Sequence, residues 1–337
     1  MSSPNGSRST RRLVVEEIHG ADRFVLVTHE NPDVDALGSL VAMQAVLEAL
    51  GKDAISCMAS AEFPLPYEYR FLELAGLATE LPADVAERTI IFLDCGNIDR
   101  NPFDALRNGN THILNLDHHH DNTHFGTVNH VVPEASCTAE IIWDLMGALG
   151  VQATLPIAEA LYVGLVTDTG KFMYENTGPR AHAMAAELIA AGVDVHAIYR
   201  RLYEGVPQGK LELLARGLTS VQRFDGGLLT LSHLTRDDYA ATGADESYSE
   251  GVVDHLRALE GTAVAGLVRD LLADGDGDGA GPGRRKVSLR ATDDRVDVSE
   301  IARAQGGGGH RRAAGFTTTL EFPQLVEVLR AGVAEQL

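Results

Sequence analysis

The sequence predicts an α/β protein, with a mostly parallel-sheet domain followed by a smaller α/β (α+β) domain. Three observations point there. Short, β-branched apolar runs alternate with helix-patterned stretches from Arg23 to about Gly170, the rhythm of a parallel sheet with crossover helices. Four clusters of Asp and His follow apolar segments, three of them directly after a predicted strand. The texture then changes after Gly226, where new strand-like and helical segments appear. At 337 residues, the chain has room for two domains of roughly 150 residues each.

Taken in order, residues 1–12 (MSSPNGSRSTRR) are polar and lack an apolar core, so no signal peptide is expected. RFVLVTH (23–29), TIIFLDCG (89–96) and THILNLDHH (111–119) read as buried strands, each stopped by polar or Gly residues. Ala36–Leu50 and Ala135–Leu149 have helical spacing and composition. Pro179–Ala191 and Val195–Tyr203 are also helical, with Gly192 as a stop between them. Residues 204–225 look like a connection containing some helix. Beyond it, GLLTLSHL (227–234) and RKVSLRA (285–291) are strand-like, and YSEGVVDHLRAL (248–259) is helical. DGDGDGAGPG (274–283) reads as a mobile hairpin tip. The expected domains are 12–195 and 226–337, joined by 196–225.

Charge and cysteine usage narrow the function. Forty-eight acidic against 28 basic residues give −20, a balance that repels long polyphosphate backbones and speaks against duplex DNA as a partner. Cys57, Cys95 and Cys137 are odd in number and far apart, as expected of reduced thiols in a cytoplasmic protein. No run approaches the length of a membrane span.

The chemistry sits in the clusters. THENPDVDALGS holds His29, Asp33 and Asp35; LDCGNID holds Asp94; LDHHHDN holds Asp117, His118, His119 and His120; GLVTDTGKF holds Asp168. A single Asp after a strand usually caps a turn or helix, and Asp35 is a candidate cap for the helix that follows it. Four clusters at compatible sites suggest more. Oxygen and imidazole donors without thiolate suit Mn²⁺, with Mg²⁺ or Fe²⁺ as competitors. So many carboxylates need cations to offset their repulsion, and two cations roughly 3.5–4 Å apart could share one of them. GLVTDTGKF lacks the spacing of a phosphate loop, and the Asp/Gly run has Arg285 where a calcium loop needs Glu. GGGGHRRAAGF (306–316) instead reads as an anion clamp. Its glycines permit close backbone approach, and the stretch 284–312 carries eight Lys or Arg against four acids.

With these residues in view, the chain resembles the DHH-family phosphoesterases, named for the Asp-His-His found here at Asp117, His118 and His119. The resemblance spans nearly the whole chain, including the DHH-associated C-terminal domain, and is nearest the NrnA-type subgroup of oligoribonucleases and 3′-phosphoadenosine 5′-phosphate (pAp) phosphatases. It implies that His29 and Asp33 hold one Mn²⁺, that Asp35, His118 and Asp168 hold the other, and that Asp94 bridges them. It places His119 beside the scissile phosphate. Arg290, Gly307, Gly308, Gly309, His310 and Arg311 would bind substrate across an interdomain cleft.

The implied reaction is two-metal hydrolysis of short oligoribonucleotides to mononucleotides and of pAp to AMP, by a homodimer. A cyclic-di-AMP or pApA phosphodiesterase would use the same motifs. A nucleotide-binding sensor without turnover is the reading from another class.

Overall fold

The computed structural model describes residues 4–63, 65, 69, 72, 74, 76–107, 111–272 and 283–337. The expected Asp/Gly tip at 274–283 lies outside these, apart from Gly283. The chain divides into two compact units, Met1–Glu204 and Gly205–Leu337.

The first unit carries a five-stranded parallel sheet. Its strands are β1 (Arg23–Val27), β2 (Asp53–Ser56), β3 (Thr89–Leu93), β4 (Ile113–Asp117) and β5 (Val128–Val131), in the spatial order β2-β1-β3-β4-β5. Both faces are buried, as parallel sheets require. Phe24, Leu26, Ile91, Leu93, Leu114 and Leu116 face one core, while Val25, Val27, Ile90, Phe92 and Ile113 face a second with Cys57 and Leu106.

The first core is closed by α1 (Pro4–Gly20), α2 (Val34–Ala49), α3 (Thr138–Ala148) and α4 (Leu155–Asp168), with α5 (Pro179–Ala190) and α6 (Val195–Tyr203) behind. Among these, α2 buries eleven of its sixteen residues, so it is a central helix rather than an amphipathic surface one. It can lie close to α4 because Gly38 has no Cβ; one there would sit 2.5 Å from the Ala160 carbonyl oxygen. The strand order reverses between β1 and β3, and ligands in open α/β sheets gather beyond the carboxyl ends at such a reversal. No single helix among the described residues is long and apolar enough to cross a membrane.

One buried group makes the stability of this unit pH-dependent. His130 on β5 is 2% exposed and pairs through Nδ1 with the Thr10 hydroxyl at 2.9 Å. Burial pushes its pKa down from 6.5 to about 4; the Arg11 charge pushes the same way and Asp144 opposes it. The unfolded chain therefore takes up the proton first. Stability is complete above about pH 6.5 and is lost as pH falls toward 4, by about 2 kcal/mol between pH 7 and pH 5. Urea unfolding of wild type and His130→Gln across that range should show the variant lacking this part of the slope. Parallel slopes would assign the acid sensitivity to other groups.

The second unit is a mixed six-stranded sheet, in the order β10-β11-β9-β8-β7-β6. The strands are β6 (Gln222–Phe224), β7 (Leu229–Leu234), β8 (Val264–Asp270), β9 (Arg285–Ala291), β10 (Gly308–His310) and β11 (Ala313–Thr318). Only β7 and β8 pair in parallel. Helices α10 (Val298–Ala304) and α11 (Phe322–Ala334) cover one face; α7 (Gln208–Thr219), α8 (Arg236–Thr242) and α9 (Val252–Arg257) pack on the other.

Candidate metal centre

The carboxyl ends of β1, β3 and β4, with the last residue of α4, bring the four acidic and histidine clusters to one place. Donor atoms of His29, Asp33 and Asp94 lie within 4.8 Å of one another, as do those of Asp35, His118 and Asp168. Asp94 also groups with His118 and His119. The carboxylate of Asp94 lies between the two sets. Its Oδ2 is 3.7 Å from His29 Nε2, and its Oδ1 is 3.5 Å from His118 Nε2. His118 Nε2 is in turn 3.7 Å from Asp168 Oδ2.

Local structure explains each placement. Asp94 leaves β3 with φ +58°, a left-handed conformation that re-aims its carboxylate and is uncommon outside Gly, Asn and Asp. His29 Nδ1 lies 2.8 Å from both the Glu30 carbonyl oxygen and Arg100 Nη2, which leaves Nε2 facing Asp94. Asp33, not Asp35, caps α2, accepting from the Ala36 N–H through Oδ1 at 3.0 Å. The cap expected of Asp35 thus falls two residues earlier, because the helix begins at Val34 rather than Ala36.

Asp35 sits within the first turn of α2 and is 2% exposed. Its Oδ2 accepts from the Thr138 N–H at 2.7 Å and its Oδ1 from the Ala139 N–H at 3.1 Å. Asp168 ends a helix rather than a strand, and Asn176 donates to its carbonyl at 3.1 Å.

The site concentrates negative charge. Burial pushes the Asp35 carboxyl well above the usual carboxylate range, and Asp94 and Asp168 push it further. Asp168 is raised in the same way, by burial and then by Asp33 and Asp94. For Asp94, burial acts upward too, but the close approach of His29 and the imidazoles of His119 and His118 outweigh it and hold the group low.

His119 is oriented by Asp117, to which its Nδ1 donates at 2.6 Å. Burial disfavours its charge, yet Asp117 and Asp94 lift it to about 10. Asp117 is itself fixed by Asn122 at 2.5 Å, so it acts as an orienting group and belongs to none of the donor sets. His120 and Asp121 are exposed.

Sequence reasoning missed Thr138, Asn122, Asn176 and Gly164. A Cβ on Gly164 would lie 2.6 Å from Asp35 Oδ1, so glycine is what leaves room for that carboxylate. The usable signal was the small polar run Ser136-Cys137-Thr138 opening α3, a short turn beyond the end of β5 at Val131. It went unread because β5 was not recognised.

In the second unit, Arg290 lies on β9 opposite Ala313 of β11, with Nε 3.8 Å from Asp254 Oδ1. Gly308, Gly309 and His310 form the edge strand β10, paired with β11; the side chain of His310 lies outside the description. Gly307 and Gly309 are required there, since a Cβ would meet the Gly315 carbonyl oxygen at 2.2 Å or the Ala313 carbonyl oxygen at 2.6 Å. Arg311 donates to the Asp294 carbonyl at 2.6 Å.

A parallel sheet with its donor groups at the β1/β3 reversal, followed by a mixed-sheet unit, matches one family throughout. Residues 23–165 match the DHH family N-terminal domain, and residues 238–335 match the DHHA1 domain. The chain belongs to the DHH family.

Among its relatives is the bifunctional oligoribonuclease and PAP phosphatase NrnA of Thermus thermophilus, 33% identical over 97% of this chain and 94% of that one. The cyclic-di-AMP phosphodiesterase GdpP of Geobacillus thermodenitrificans is 25% identical over 90% of this chain and 45% of its own length. An exopolyphosphatase-related protein from Bacteroides fragilis shares the fold with a TM-score of 0.85 at 22% identity, over 97% of this chain and 96% of that one.

Proposed function

We propose that this chain is a two-cation phosphoesterase that hydrolyses short oligoribonucleotides to mononucleotides and pAp to AMP. The observation that carries the reading is a pair of three-residue donor sets, His29, Asp33, Asp94 and Asp35, His118, Asp168, set side by side with Asp94 Oδ1 3.5 Å from His118 Nε2. The relationship to NrnA over nearly the full length of both chains supports the substrate class.

The donor set fits divalent cations. Asp35 is buried and Asp168 half-buried among like charges that cations would offset, and oxygen with imidazole donors suits Mn²⁺, Mg²⁺ or Fe²⁺. His29, Asp33 and Asp94 would hold one, and Asp35, His118 and Asp168, with Asp94 shared, the other. Two such cations supply Lewis-acid polarisation of phosphoryl oxygens and a more acidic water.

The chain's own groups do the rest. Asp117 fixes the His119 ring, so His119 can hold a non-bridging oxygen or hand a proton to the leaving oxygen. Arg290, Gly307, Gly308, Gly309, His310 and Arg311 bind the distal nucleotide and its phosphate. Three unpaired cysteines, all buried, accord with a reducing cytoplasmic setting. A homodimer is part of this reading, carried by the family resemblance.

The relationship to GdpP favours a second reading, hydrolysis of cyclic-di-AMP or pApA by the same groups. A product assay with Mn²⁺ separates the two. Purified protein is offered pAp, pApA, short oligoribonucleotides and cyclic-di-AMP in parallel, with and without chelator. Fast turnover of oligoribonucleotides and pAp, abolished by chelator and restored by Mn²⁺, is the expected result. Dominant cyclic-di-AMP turnover would move the protein to second-messenger degradation. Tight nucleotide binding with no product from any substrate would make it a sensor.

A further inference from the structure

We infer that Thr138 is a positioning residue whose hydroxyl sets the plane of the Asp94 carboxylate, so that one oxygen serves each cation site. Thr138 is fully buried, the first residue of α3, and its Oγ1 donates to Asp94 Oδ1 at 3.0 Å. That oxygen also faces His118, whereas Oδ2 faces His29. A carboxylate at a strand end can rotate about its terminal torsion, which is broad and roughly two-fold. The imidazoles around Asp94 stand 3.5–3.7 Å away, too far to hold it by good hydrogen bonds. The Thr138 hydroxyl is the short contact that fixes the rotation.

The hydroxyl is itself held. The Thr138 N–H donates to Asp35 Oδ2 at 2.7 Å, tying the start of α3 to the second donor set. The approach to the helix is fixed at Ser136, whose N–H donates to buried Glu140 at 2.9 Å and whose hydroxyl donates to the Asn176 carbonyl at 3.0 Å. Asn176 in turn donates to Asp168. One short segment thereby references Asp35, Asp94 and Asp168, which come from three different elements. Valine matches threonine in shape and lacks only the hydroxyl, so Thr138→Val isolates the contribution of that group.

The inference rests on the two-cation reading, and the experiment separates the two. Mn²⁺ alone is titrated into the full-length wild type, Thr138→Val and Thr138→Ser. Binding is followed by calorimetry, exchange coupling between bound ions by electron paramagnetic resonance, and folding by the melting temperature without metal. The wild type should bind two ions with coupled signals. Thr138→Val should bind the second ion about 10- to 100-fold more weakly, as removal of an outer partner of a metal ligand does, and lose the coupling. Thr138→Ser should restore both.

Wild-type affinity and coupling in Thr138→Val would overturn the inference while leaving the two-cation reading intact. A wild-type chain that binds fewer than two ions would overturn both. A Thr138→Val protein that melts like wild type yet loses coupling excludes a merely structural role. If the valine variant does not fold, Thr138→Ser and Thr138→Ala decide: the inference requires coupling in serine and none in alanine.

Discussion

Replacing Asp94 with Asn should lower phosphoester hydrolysis by roughly 10³-fold or more with the fold retained, because the change removes the carboxylate that groups with His29 and Asp33 on one side and with His118 of the other donor set on the other. Asn is the informative substitution for two reasons. It keeps the shape, and like Asp it tolerates the left-handed backbone at φ +58°, where Ala would add strain of its own. It also relieves charge. Asp35 and Asp168 are both pushed up partly by Asp94, so a neutral amide lessens the crowding of carboxylates. Circular dichroism without metal should therefore match wild type while turnover collapses. Substantial turnover in Asp94→Asn would refute the shared-carboxylate mechanism.

Gly164→Ala should damage the site from outside it. The added Cβ would stand 2.6 Å from Asp35 Oδ1, 3.0 Å from Ala139 Cβ and 3.4 Å from Asp35 Cα. A short Asp side chain pinned by two backbone N–H groups cannot swing clear without breaking a bond to Thr138 or Ala139. Overpacking of this kind costs about 1–3 kcal/mol, and a displacement near 1 Å at a reacting centre costs about 10²-fold in rate. The expected signature is a modest fall in melting temperature with a disproportionate loss of Mn²⁺ affinity and kcat. Equal, small changes in all three would mean that α2 and α4 slide apart and carry Asp35 with them.

How much of this was legible in the sequence follows from the range of the interactions. The strands β1, β3 and β4 could be read because each is a β-branched apolar run buried on both faces, and their polar stops were the functional residues. β2 (Asp53–Ser56) and β5 (Val128–Val131) are four residues each, partly exposed and polar, and gave no such contrast. α1 was missed because its first turns are Ser-, Asn- and Arg-rich; the buried residues Val14 and Ile18 come only near its end.

Nothing in the glycine run signals a strand; Gly308–His310 is one because β11 supplies the pairing, a partner that local composition does not announce. The donor residues were legible by type and spacing. Their supports, Thr138, Asn122 and Asn176, were not, since a Thr or Asn acquires such a role only through contacts with distant elements.

The bonds from Thr138 and Ala139 to Asp35 close loops of 103 and 104 residues, and the donor groups run from His29 to Asp168. Contacts so distant in sequence form late, after the entropy of ordering the intervening chain has been spent. The centre is therefore a kinetic endpoint: refolding should recover helical signal before it recovers the ability to bind ions. A nick or deletion that separates these elements leaves incomplete fragments of a ligand set, so ion binding reports whether the whole span from His29 to Asp168 is intact.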